Sequence, residues 1–199
     1  MNSTLLSTTG VTIPKGLFTT ALKLACEDFE KKYDKRGRPY ILHLLRVALG
    51  LDTNDEELMA IGVLHDSIED GYQSESSLRR AGMTPRVIEG VKGLTHLPGV
   101  DYLDYIRSMR GKLDVLKVKR RDLLDNSNIA RLKGVESKDL NRLHTYALSC
   151  AMVEAMIEEL EQLGPEGVRW QMLAEEEKKA RDLEMANEVA AEMRAEGHE

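Results

Sequence analysis

Residues 62–70, Gly-Val-Leu-His-Asp-Ser-Ile-Glu-Asp, constrain the architecture of this chain more than any other stretch. They close a proline-free run over 55–70, rich in good helix formers, with Asn54 and Asp55 placed to cap it. The pattern predicts a helix over the whole run. At about 100° per residue, His65, Asp66, Glu69 and Asp70 then share an arc of roughly 140°. Ile61, Leu64 and Ile68 fall on a separate stripe, the expected core face. A lone His-Asp pair is more often just part of a polar face. Here two further carboxylates lie a turn beyond an adjacent imidazole and carboxylate, a donor set suited to holding one metal ion. That arrangement points to a site.

Helical spacing recurs along the rest of the chain, and no stretch alternates apolar and polar residues as a half-buried strand does. Leu17, Ala21, Leu24, Ala25 and Phe29 predict a first helix over 16–32, broken by Lys35-Arg36-Gly37-Arg38-Pro39. A second helix starts near Tyr40, with Pro39 beside its first turn, where a missing N–H costs little. Ser74 is placed to cap a short helix through Arg80, and Thr84-Pro85 opens another to about Leu94. Helices follow over 101–109, 113–124 and 137–163, the last with Leu140, Leu143, Ala147, Cys150 and Val153 on its expected buried side. Gly164-Pro165-Glu166-Gly167 marks a break before a charge-rich helical run over 170–195. There Trp170 and Leu173 are expected to dock on the domain. Leu183, Ala186, Val189, Ala190 and Met193 leave a thin stripe for the body or for a second copy of the chain, a route to a homo-oligomer. The expected fold is all-α: an N-terminal arm over 1–15, a helical domain over 16–163 and a C-terminal helical extension over 164–199.

Composition narrows the function. The chain is 42% hydrophobic and 31% charged, values of a soluble globular protein. No apolar run reaches membrane-spanning length, and residues 1–11 lack the basic start and apolar core of a signal peptide. Cys26 and Cys150 have no ligand spacing around them and read as buried thiols of a reducing, cytoplasmic compartment. A formal net charge of -6 argues against coating a nucleic acid, whereas one local basic pocket suffices for a small anionic ligand.

A metal needs ligands from other segments. His43 stands just after Pro39-Tyr40-Ile41, one helix upstream. His96 falls in a loop beside Pro98, His144 on the long helix without a carboxylate at ligand spacing, and His198 at the end of the chain. Asp122 and Asp125 both lie in Val118-Lys119-Arg120-Arg121-Asp122-Leu123-Leu124-Asp125-Asn126, and spacing does not choose between them.

Four segments in order resemble a known family, the HD-domain metal-dependent phosphohydrolases, and within it the RelA/SpoT-type alarmone hydrolases, small stand-alone ones included. Gly37-Arg38-Pro39-Tyr40-Ile41-Leu42-His43 is similar to G-x-P-Y-I-x-H, and His65-Asp66-Ser67-Ile68-Glu69-Asp70 to H-D-x-x-E-D. The segment ending Asp122-Leu123-Leu124-Asp125-Asn126 resembles V-K-L-A-D-x-x-x-N, and Arg142-Leu143-His144-Thr145-Tyr146 resembles R-x-x-x-Y. Two departures stand out: Arg120-Arg121 replaces an apolar pair, and Asp125 stands where many members carry an aromatic residue or histidine.

The resemblance implies an HD-domain helical bundle with His43, His65, Asp66 and Asp122 as metal ligands, which selects Asp122 over Asp125. Two imidazoles and two carboxylates suit Mn2+, with Fe2+ or Zn2+ as alternatives. It implies Glu69 and Asp70 as the pair that orients and deprotonates the attacking water. Asn126 and Tyr146 match nucleoside-contacting positions, Arg142 a phosphate-contacting one, and Lys32 a basic position near the pyrophosphate. The implied activity is removal of the 3′-pyrophosphate from guanosine or adenosine alarmones of the ppGpp or ppApp type, as in the stringent response. Two alternatives remain: the same chemistry on another nucleotide, such as a deoxynucleoside monophosphate, or a metal-holding regulatory protein with vestigial hydrolysis.

Overall fold

The computed structural model describes residues 5–6, 12–13, 16–132 and 134–196, with side chains described between 16 and 187. The chain falls into two compact units, one ending at Ile157 and the other starting at Glu158. Eight helices follow in order among the described residues: α1 (Leu17–Asp28), α2 (Ile41–Gly50), α3 (Glu56–Leu64), α4 (Glu75–Arg80), α5 (Pro85–Gly93), α6 (Tyr102–Arg107), α7 (Leu113–Asn126) and α8 (Ser137–Glu196). The expected all-α architecture is the observed one. Two short strands, β1 (Leu5–Leu6) and β2 (Thr12–Ile13), pair antiparallel in the segment expected to be a loose arm. No helix of the described residues is long and apolar enough to cross a membrane.

Helix starts sit where side-chain acceptors meet orphan N–H groups. Asp55 caps α3 by accepting from the N–H groups of Glu57 and Leu58 at 3.0 and 3.2 Å. Ser74 and Ser77 form a reciprocal capping box on α4, and Thr84 caps α5 ahead of Pro85. Each such cap contributes about 1 kcal/mol. The core is built around α3, which packs against α1, α2, α5 and α7. Its Leu58, Ala60, Ile61, Val63 and Leu64 are buried on all sides, so α3 is a central helix rather than an amphipathic one with a single core stripe. Ile68 is only half-buried. Gly62 makes the α2–α3 approach possible, because a Cβ there would lie 3.0 Å from the Ala48 Cα.

Several expectations are corrected. The first helix stops at Asp28 rather than near Lys32. The central helix stops at Leu64, so His65, Asp66, Glu69 and Asp70 lie on consecutive turns beyond its end. The Gly62 carbonyl, which would carry the helix on by accepting from the Asp66 N–H, is bonded instead to the His65 ring. Tight turns follow, with the Ser67 N–H donating to Leu64 O at 2.8 Å and Gly71 at a φ of 77°. On α8 the buried side is rotated from the expected one. Leu140 is 57% exposed and Ala147 is exposed, while Asp139 and Ser149 are buried and Arg142 and Tyr146 half-buried; Val153 is buried as expected. That face is polar because it borders a cavity rather than the apolar core. Cys26 is exposed and Cys150 half-buried, and neither forms a disulfide. In the second unit Gly164 adopts a φ of 68° and breaks the helix before Pro165. Within this unit Trp170 is 69% exposed and Leu173 42%.

Candidate metal centre

His43 projects from the first turn of α2, His65 and Asp66 from the turns after α3, and Asp122 from the penultimate turn of α7. His43, His65 and Asp66 each bring one ligand atom to within 4.8 Å of the others. Asp122 joins them: its Oδ1 lies 3.3 Å from His43 Nε2 and 3.6 Å from His65 Nε2. Asp66 Oδ1 is 3.3 Å from His65 Nε2. The structure therefore brings together all four residues the resemblance named as ligands.

The outer nitrogens of the two rings are occupied. His65 Nδ1 donates to the Gly62 carbonyl at 2.8 Å, and His43 Nδ1 to Asp125 Oδ2 at 2.6 Å. These acceptors place the proton of the neutral ring on Nδ1 in both histidines, which leaves Nε2 as the atom each neutral ring offers to a metal. Both Nε2 atoms are buried and have no hydrogen-bond partner. Two ring nitrogens and two carboxylates converge on one place, an arrangement that a positive charge resolves, either a proton on His65 or a metal ion in its stead. The local field agrees. Burial opposes a charged His65, yet Asp66 and Asp122 outweigh it and raise the imidazole to about 9. Burial also works against the Asp122 carboxylate, but Lys119 and the two rings hold it well below the usual range. This donor set fits a divalent metal such as Mn2+, Fe2+ or Zn2+.

Asp125 lies behind His43. Arg46 Nε reaches its Oδ1 at 2.5 Å, and Arg131 Nη1 reaches its Oδ2 at the same distance. Burial works against the charged carboxylate, but His43, Arg46 and Arg131 overcome it and keep the Asp125 carboxyl far below its ordinary value. The neighbouring arginines of α7 point elsewhere: Arg120 bonds Glu154 at 2.6 Å, and the Arg121 chain lies against Gly50.

Glu69 and Asp70 follow the ligand pair on the same turns and are exposed. Glu69 Oε2 accepts from the His96 N–H at 2.9 Å, and Asp70 pairs with Lys32, whose ammonium sits 4.0 Å from the Tyr40 ring centroid. Beside the centre is a cavity of about 200 Å³ lined by Tyr40, Lys35, Asn126, Arg131, Arg142 and Tyr146, among others. The Arg142 guanidinium lies 5.9 Å from the Tyr146 ring and donates to Asp139 at 3.0 Å. Asn126 Nδ2 donates to Asp122 Oδ1 at 2.5 Å, so this residue touches both cavity and cluster. Lys32 stands by Asp70 rather than in the cavity lining. A larger cavity of about 530 Å³ beside Arg86, Gly90 and Lys112 shares no residue with the cluster. His144 is exposed, and His198 lies outside the described residues.

Sequence reading missed four contributors: Tyr40, Lys119, Asp125 as a brace, and Arg131. Tyr40 and Lys119 each precede a ligand by three residues, a usable signal on a helix. Arg131 has no such signal.

Fold and cluster together define an all-helical HD-type architecture, the fold of HD-type alarmone hydrolases. Among solved structures the chain is similar to a metazoan ortholog of SpoT that hydrolyzes ppGpp and plays a role in starvation responses. The two share 21% identity over 78% of this chain and 99% of that one, with a TM-score of 0.59. No protein-family model and no curated protein matches the chain.

Proposed function

We propose that the chain is a metal-dependent nucleotide pyrophosphohydrolase that removes the 3′-pyrophosphate of a guanosine or adenosine alarmone. The observation that carries this reading is the pair of buried, unpartnered Nε2 atoms facing Asp66 and Asp122. His43, His65, Asp66 and Asp122 hold the metal, with Mn2+ favoured. The bound metal supplies Lewis acidity at the phosphoryl group and makes a neighbouring water easier to deprotonate.

The chain's own residues do the rest. Glu69, its Oε2 fixed by the His96 N–H, orients the water with its other oxygen. Asp70 takes the proton as the water oxygen bonds to the phosphorus attached to the ribose. The bond from that phosphorus to the 3′-oxygen breaks, and the 3′-oxygen receives the proton. The products are pyrophosphate and a nucleoside still phosphorylated at its 5′ end. Lys32, beside Asp70, offsets the charge of the pyrophosphate. Arg142 holds phosphate, and Asn126 and Tyr146 contact the nucleoside. The SpoT ortholog's hydrolysis of ppGpp supports this choice of substrate.

The test is chromatography of guanosine and adenosine tetraphosphates incubated with the protein and Mn2+. Pyrophosphate and an intact 5′ end are expected. Inertness toward both compounds beside rapid hydrolysis of a deoxynucleoside monophosphate would overturn the alarmone assignment.

A further inference from the structure

Each carboxylate of the cluster carries a donor on Oδ2. Asp66 turns Oδ1 toward His65 Nε2 at 3.3 Å, while its Oδ2, 3.9 Å from His43 Nε2, accepts from the Tyr40 hydroxyl at 2.6 Å. Asp122 turns Oδ1, which also accepts from the Asn126 amide at 2.5 Å, toward both rings, while its Oδ2 accepts from the Lys119 ammonium at 2.9 Å. Each donor is itself clamped. Tyr40 stacks on Phe29 at 5.5 Å and lies 5.2 Å from the His43 ring. Lys119 is buried, with its ammonium 5.6 and 5.1 Å from the Tyr102 and Tyr105 ring centroids. A buried lysine in contact with a cation-binding cluster costs attraction for the cation, since its charge opposes it. Its presence therefore calls for a reason other than affinity.

Denticity supplies one. A carboxylate with both oxygens free can chelate an ion through both, or bridge two ions, and either mode uses up positions that water and substrate need. A carboxylate oxygen keeps a lone pair when it accepts one hydrogen bond, but the oxygen that carries the stronger donor is the poorer ligand. The Lys119 ammonium disfavours Oδ2 of Asp122 more than the Asn126 amide disfavours Oδ1, and the Tyr40 hydroxyl disfavours Oδ2 of Asp66. Taking the metal-binding reading of the centre as given, we propose that Tyr40 and Lys119 are positioning residues that restrict Asp66 and Asp122 to one metal-facing oxygen each. The protein then contributes four donor atoms: two imidazole nitrogens and two carboxylate oxygens. An ion that prefers six ligands keeps about two positions for water and a phosphate oxygen.

The two roles open to Lys119 predict opposite signs. If Lys119 merely shores up the fold around Asp122, its loss lowers metal affinity and leaves the surviving site hydrated as before. If it restricts Asp122, Lys119→Met frees Oδ2 for the ion, so affinity is kept or increased while coordinated water is lost. Water-proton relaxation of the Mn2+-loaded protein reads coordinated water directly and needs no turnover, and titration of Mn2+ into chelator-stripped protein gives the affinity. For Lys119→Met and for Tyr40→Phe, we expect relaxation enhancement per bound Mn2+ to fall to about half, as one of about two water positions is lost. Lys119→Arg, which keeps a donor on Oδ2, restores it. Tyr40→Phe changes one atom and tests the idea independently where Lys119→Met folds poorly. Wild-type relaxation per bound ion in both variants, with Mn2+ bound, overturns the inference. Failure of the wild-type chain to bind Mn2+ at all instead overturns the metal reading beneath it.

Discussion

Asp125→Asn separates bracing of the centre from ligation. The Asp125 carboxylate accepts from His43 Nδ1 at 2.6 Å, from Arg46 Nε at 2.5 Å and Nη2 at 3.1 Å, and from Arg131 Nη1 at 2.5 Å. Asparagine keeps the shape and one acceptor, but it turns an NH2 toward one of these donors and removes the charge. Breaking a buried charged pair costs about 3–5 kcal/mol. The figure here is lower because Arg46 is partly exposed, and because Arg131 Nη1 keeps the residue-125 carbonyl and Asn126 Oδ1, both at 3.1 Å. About 2–3 kcal/mol of stability should be lost at neutral pH. Loss of a ligand's hydrogen-bonded partner weakens metal binding about 10–100-fold, or about 1.4–2.7 kcal/mol. The pH dependence has a definite sign. The folded carboxyl sits below its unfolded value of about 3.9, so its contribution is complete above that pH and disappears as pH falls through the lower folded value. Urea melts of both proteins should therefore differ at pH 7 and converge below about pH 4, and Mn2+ titrations at pH 7 should show the weaker affinity. Equal Mn2+ affinity with an unchanged stability gap across that pH range would refute the bracing role.

Glu69→Gln and Asp70→Asn should each lower kcat by about 10²-fold or more with metal content unchanged, read by steady-state kinetics beside elemental analysis. Arg142→Ala should raise KM for a 3′-pyrophosphorylated nucleotide about tenfold or more with kcat less affected, because its guanidinium lines the cavity beside Tyr146. His65, raised to about 9 without metal, stabilises the metal-free fold fully below its unfolded value of 6.5 and loses that contribution as pH rises through about 9. Chelator-treated protein should lose melting temperature across that window. Mn2+ affinity should rise across it by up to about tenfold per pH unit, as one proton leaves His65 on binding. Gly62→Ala should cost about 1–3 kcal/mol in a denaturant melt, because its Cβ would meet the Ala48 Cα, backbone that cannot swing aside.

Features set by neighbours along the chain were legible in the sequence. The caps at Asp55, Ser74 and Thr84 depend on donors two or three residues away, and all three open helices. Features set across the fold were not. The end of α3 at Leu64 depends on an imidazole that takes the Gly62 carbonyl. The inward face of α8 is misread by hydrophobic periodicity, which assumes that a buried face is apolar. That face carries Asp139, Arg142, Tyr146 and Ser149, and it leaves Leu140 exposed.

The choice between Asp122 and Asp125 has the same origin. The two carboxylates are three residues apart on α7, so spacing places them on one face as equals. Between them stands a single ring from α2, His43, whose Nε2 is 3.3 Å from Asp122 and whose Nδ1 is 2.6 Å from Asp125. The ring makes the distinction that the helix cannot. The carboxylate at Nδ1 accepts a hydrogen bond from the ring, and the one at Nε2 faces the nitrogen left to ligate a metal. Arg46 and Arg131 enclose the first, whereas the second, with Lys119 on its Oδ2, turns Oδ1 toward His65 and toward the place where Asp66 also converges. One imidazole thus divides a symmetric pair of aspartates into a brace and a ligand.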